Sequence, residues 1–129
     1  MKKLFLALLM MSGFLLTSHA QDCKDIQTGS FKIANESGEY LITRTNKHQF
    51  EEVRSIGLKM QFDLKWTSEC SYELSNPKVL EGEGPVVDKT QKVFVRIVEV
   101  SDKSYTADVT SNFSDEKITM KIEIVKRGN

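Results

Sequence analysis

Leu58-Lys59-Met60-Gln61-Phe62-Asp63-Leu64-Lys65-Trp66 is the stretch on which the fold turns. Apolar side chains occupy the even positions and polar or charged ones the odd positions. A period of two places successive side chains on opposite faces of an extended chain, so the stretch reads as a strand with one face in a core and one in water. After the break at Thr67-Ser68-Glu69, Cys70, Tyr72 and Leu74 keep the even parity, which directs Cys70 inward.

Similar runs lie on both sides. Residues 28–34 carry Phe31 and Ile33, and residues 39–45 carry Tyr40 and Ile42. Residues 104–110 carry Tyr105, Ala107 and Val109, and residues 118–126 carry Ile118, Met120, Ile122 and Ile124. The run 93–100 is apolar at both parities (Val93, Phe94, Val95, Ile97, Val98, Val100), the pattern of a central or doubly covered strand. Residues 47–54 hold two signals. Asn46 with Gln49 resembles a capping box and Phe50 with Val53 fits a helical turn, yet the segment is too short to hold a helix alone and is read as a strand.

Short connectors separate these runs: Asn35-Glu36-Ser37-Gly38, Ser55-Ile56-Gly57, Ser101-Asp102-Lys103 and Ser111-Asn112. Connectors this short demand antiparallel neighbours. One longer connection, from Asn76-Pro77 through Gly82-Glu83-Gly84-Pro85 to Lys89, contains both prolines of the chain and is read as a mobile loop at one end of the fold. The expectation is therefore an all-β antiparallel meander of about seven to eight strands. It closes as a lipocalin-like up-and-down barrel or, failing that, packs as a β-sandwich.

The N-terminus has the three parts of a secretory signal: Lys2-Lys3, an apolar run from Leu4 to Leu16, and Ser18-His19-Ala20 ahead of Gln21. The run is too short to span a bilayer comfortably. The organisation expected is a signal peptide over residues 1–20 and one β-rich domain over residues 21–129. Exported Cys23 and Cys70 then read as one structural disulfide. A redox pair lacks its C-x-x-C spacing, and lipidation of Cys23 lacks the small residue that should precede it.

The 129 residues hold 18 basic and 18 acidic side chains. Loss of Lys2 and Lys3 with the signal leaves a slightly acidic chain, unsuited to nucleic acid and too short for several domains. His48 is the single histidine after the signal, so a multi-histidine metal site is excluded, and His48 with Glu51 and Glu52 reads as a solvated polar face. No nucleophile elbow, phosphate loop or calcium loop is present, and no cofactor is implied. Carboxylates near strand ends, Asp102, Asp108, Asp115 and Glu116, leave a small hydrolase as a remote alternative.

Two arginines fall in apolar runs. Arg44 shares the parity of Tyr40 and Ile42, and Arg96 that of Phe94, Val98 and Val100. An arginine facing a core must be paired, for instance with Glu69 or Glu73, or must meet an anionic ligand, because an isolated buried charge is costly. Arg44, Arg96, Trp66 and Tyr72 are therefore the candidate ligand-binding residues.

Cys23…Gly29-x-Phe31, Ile42-x-Arg44-Thr45…Gln49-x-Glu51 and Phe62-x-Leu64-x-Trp66…Cys70-x-Tyr72-x-Leu74 resemble a group of short secreted proteins of Bacteroidota-type bacteria, over roughly residues 23–74. The resemblance implies no activity and carries over no functional residue. Some members bear a DNA topoisomerase IV label, which an exported chain without a basic stripe does not support. The functional expectation is a secreted or periplasmic, non-enzymatic, monomeric β-domain binding a small ligand or an envelope partner. The alternative is a structural or stress-related envelope protein without a ligand.

Overall fold

The computed structural model describes residues 22–36 and 38–128. The expected signal peptide lies outside them. The strands are β1 (Gly29–Asn35), β2 (Gly38–Arg44), β3 (His48–Val53), β4 (Leu58–Ser68), β5 (Ser71–Glu81), β6 (Val93–Val100), β7 (Ser104–Ser111) and β8 (Ile118–Arg127). Each pairs antiparallel with its sequence neighbours, and β1 also pairs with β8, so the sheet closes as an eight-stranded barrel in chain order. Of the two architectures expected, the barrel is the one formed.

Alternation explains what fills it. Leu58 and Leu64 of β4 are buried, while Lys65 faces solvent. Phe31, Ile42, Leu64, Tyr72, Leu74, Val95, Ile97, Tyr105, Ala107 and Ile122 form one core from seven strands. Closure needs a glycine at the first position of β1. Gly29 has φ +132°, and a Cβ there would collide with the Lys126 carbonyl where β8 crosses.

The registers assign every connection to one of two ends. The β1 start, the β2–β3, β4–β5 and β6–β7 turns and the β8 end lie together, as the pairs Gly29–Arg44, Ser68–Ser71, Val100–Tyr105 and Gly29–Arg127 require. This end is plugged. A 3-10 turn, Lys24–Ile26, drives fully buried Ile26 into the barrel, and Cys23 just before it is bonded to Cys70 at the β4–β5 tip. Arg127 clamps the plug: Nη1 donates to both Asp25 carboxylate oxygens at 3.1 Å, and Nη2 to the Ser101 and Asp102 carbonyls at 3.0 Å. Residues 22–28 and the β8 end thus meet at the plugged end.

The opposite end is open. The β5–β6 ladder covers only Ser71–Leu74 against Val93–Arg96, and the β1–β8 ladder stops at Lys32–Glu123. Ser75–Glu81 run on beyond β6 as an arm paired to β4. Asn76-Pro77, expected in a loop, therefore belongs to a strand. Its register with β4 shifts beside Asp63, Asn76 takes φ 49°, and Asn76 Nδ2 donates to Asp63 at 3.2 Å. Proline is tolerated where no neighbour asks for its missing N–H. The true β5–β6 connection is residues 82–92.

Two expected orientations are corrected. In β6 the core side chains are Val95 and Ile97, so Arg96 points outward. A bulge between Ile97 and Glu99 shifts the register and turns Val100 back towards the core, while Phe94, before the bulge, shares the outer face with Arg96. In β3 the inward residues are Gln49, Glu51 and Val53, so Glu51 is not part of a solvated face.

Candidate functional site

Above the plug the barrel holds a cavity of about 280 Å³ reaching towards the open end. Its walls are apolar, chiefly Ile33, Ile42, Leu74, Val95, Val109 and Ile122. Asn35, Tyr40, Gln49, Glu51 and Tyr72 supply the polar surface, and Glu51 is the one charged side chain among the lining residues.

Arg44, at the last position of β2, is 2% exposed and forms the layer between cavity and plug. Its Nη1 donates to the Tyr72 and Tyr105 hydroxyls at 3.0 Å and to Gln49 Oε1 at 3.3 Å, and its Nη2 to the Ile26 carbonyl at 2.9 Å. The guanidinium lies 4.1 Å from the Phe31 ring centroid and 5.0 Å from that of Tyr72, within cation–π range. No carboxylate of the described residues is within ion-pair distance, so the expected partners Glu69 and Glu73 play no part. Burial disfavours the Arg44 charge, but Tyr72, Tyr105 and Glu51 outweigh it and the group stays protonated. Nε is buried and unpaired.

Gln49 transmits this arrangement upward. Its Oε1 accepts from Arg44, which fixes the amide so that Nε2 donates to Glu51 Oε2 at 2.8 Å. Burial among apolar walls raises the Glu51 pKa, against the lowering effects of the Gln49 hydrogen bond and the Arg44 charge. Burial also pushes the Tyr72 phenol well up, so it remains a neutral hydroxyl.

The four candidate ligand residues thus have four different places. Tyr72 lines the cavity. Arg44 sits beneath its floor. Trp66 packs on the Tyr72 ring at a centroid distance of 4.6 Å without lining the cavity. Arg96 is on the outer wall, 3.4 Å from Asp108, which Lys117 also approaches at 3.4 Å. Thr119 donates to Asp108 at 2.8 Å, and that bond, with Arg96 and Lys117, holds the Asp108 carboxyl below its usual range.

The chain matches no family model, no curated protein and no solved structure at a significant level. Its chemistry must therefore be read from the geometry. His48 and Glu51 lie on opposite faces of β3, and His48 instead meets Asp63 at 3.7 Å. Asp102 lies in the turn at the plugged end, Asp108 on the outer wall, and Asp115 and Glu116 at the open end, and none of the four lines the cavity.

Gln49, Glu51 and Tyr105, together with Asn35 and Tyr40 of the cavity lining, are site residues that sequence reasoning missed. A signal for the first two was present. Once Arg44 is taken as inward, the three-residue β2–β3 connection fixes Gln49 opposite Arg44 and Glu51 opposite Ile42.

Proposed function

We propose that this chain acts as an exported, non-enzymatic barrel that binds a small, mostly apolar molecule in its interior. The observation that carries this reading is the cavity itself, apolar on its walls, polar on its floor and reaching towards the end where two strand ladders stop short. An apolar cavity of ~150 Å³ already accepts benzene. Twice that space suits a body of one or two rings, or a short acyl chain. Export to the periplasm or beyond is supported by the Cys23–Cys70 disulfide, and no helix of the described residues is long and apolar enough to cross a membrane.

Native mass spectrometry of the protein purified from its own periplasm tests the reading. A copurified small molecule, or uptake of added 4-phenylbutanol that is lost on filling the cavity with Val95→Trp, is the expected result. An empty protein that takes up no such probe overturns it.

A second reading, an envelope partner at the open end, is favoured by a different observation. Ile56, Leu80, Val86, Phe113 and Ile118 are exposed, and all lie at or near the open rim. Site-specific cross-linking from position 86 in intact cells tests it. One defined envelope protein, lost with Phe113→Asp, is expected, and no cross-link overturns it.

A further inference from the structure

We propose that the cavity selects ligands bearing a cationic amine, with Glu51 as the anchor for the ammonium group. The inference rests on the ligand-binding reading above and names the head group that reading leaves open.

Among the described residues the barrel interior contains one positive and one negative side chain, Arg44 and Glu51, and their placement decides the matter. All the hydrogen bonds of Arg44 go to Tyr72, Tyr105, Gln49 and the Ile26 carbonyl. It does not line the cavity, and Gln49 and Tyr72 stand between its guanidinium and the cavity space. A ligand carboxylate inside the cavity meets no cation among the lining residues. It meets Glu51, and like charges in an apolar enclosure repel strongly. Glu51 is half-buried and lines the cavity, and only its Oε2 accepts a hydrogen bond from the described residues. Gln49, itself gripped by Arg44, sets the direction of that carboxylate. An ammonium group there gains a charge-assisted hydrogen bond and supplies a counter-charge that the lining residues do not. Tyr40 and Asn35 add polar surface in the same cavity, and Val95, Val109 and Ile122 offer apolar wall for the body of the ligand.

The groups facing Glu51 are few. They are Tyr40, Ile42 and Arg44 from β2, Gln49 and Val53 from its own strand, Met60 from β4, and Tyr72 across the floor. Arg44 is the only other charged group among them. Protonation of Glu51 removes the anchor, so amine binding weakens as the pH falls through the carboxyl's raised range, while binding of an uncharged analogue holds.

The experiment compares three probes with one body, 4-phenylbutylamine, 4-phenylbutanol and 4-phenylbutanoate, by calorimetric titration of the disulfide-bonded protein and of Glu51→Gln. The amine is expected to bind about tenfold or more tighter than the alcohol, the size of one charged hydrogen bond. The carboxylate is expected to bind weakest. Glu51→Gln should erase the amine's advantage over the alcohol, and alcohol binding that persists in the variant reports an intact cavity. Equal binding of amine and alcohol, or an advantage that survives Glu51→Gln, overturns the anchor and leaves the ligand-binding reading standing. Strongest binding by the carboxylate overturns it in favour of Arg44. Binding of none of the three overturns both readings.

Discussion

Arg44 carries a charge into the barrel with neutral partners alone within hydrogen-bond distance. Its stability comes from the partners of Nη1 and Nη2: two phenols, an amide and a backbone carbonyl accept from them, and the Phe31 ring lies against the guanidinium. Arg44→Met should therefore cost about 3–5 kcal/mol in urea unfolding, because it strands the whole set at once. A change below ~1 kcal/mol would mean that the surrounding groups find other partners. Arg96 makes the contrasting case. It is exposed and shares Asp108 with Lys117. Arg96→Met should change stability by no more than ~1 kcal/mol and leave uptake of 4-phenylbutanol unaltered. Parity distinguished neither arginine from the other. Arg44 follows its strand to the end, whereas Arg96 precedes a bulge that no residue type in Val93–Val100 announces. Glu51 adds a prediction with a sign. Its folded pKa is raised by burial, so the proton it holds favours the folded state at low pH, and that contribution is lost as the pH rises through the folded value. Glu51→Gln should raise the melting temperature at neutral pH, and the gap from wild type should close on acidification below the ordinary glutamate range.

At the scale of elements, the 3-10 plug has the least sequence to recommend it and the most to hold. Lys24-Asp25-Ile26 has no pattern of its own, and nothing in the periodicity marks Ile26 as wholly buried. The disulfide was legible from cysteine count and parity, but its role was not. It ties the plug to the β4–β5 tip, under the Arg44 layer. The loop it closes is worth about 4 kcal/mol in the chain-entropy account. Reduction should lower stability to urea by about that much, and hydrogen exchange should then rise first at residues 24–28. Unchanged protection there would mean that Ile26 and the Arg127 clamp hold the plug unaided. The β5 arm shows the opposite failure of reading. Asn76-Pro77 reads as the start of a loop because proline normally ends pairing, and on an edge without a second neighbour it does not.

For the whole molecule, the strand count and the antiparallel order were open to reading because most runs alternate and most connectors are short. The choice between barrel and sandwich was not. It depends on one long-range ladder, Gly29–Lys32 against Glu123–Arg127, which joins the two ends of the domain and leaves no trace in local sequence beyond a glycine. The cavity is likewise a property of the assembled wall. Its polar members come from strands β1, β2, β3 and β5, and none carries a motif.

That same ladder makes the order in which the chain visits the strands incidental to the barrel. Gly128 already hydrogen-bonds the Asp25 and Thr28 carbonyls, so a short peptide can join the residues around Asp22 to those around Gly128. A circular permutant cut between Glu83 and Asp88 would then begin and finish beside the mouth while keeping all eight strand pairings. It should give the parent far-ultraviolet circular dichroism spectrum and still form its disulfide, whereas an aggregated or helical product would show that folding depends on the native starting point.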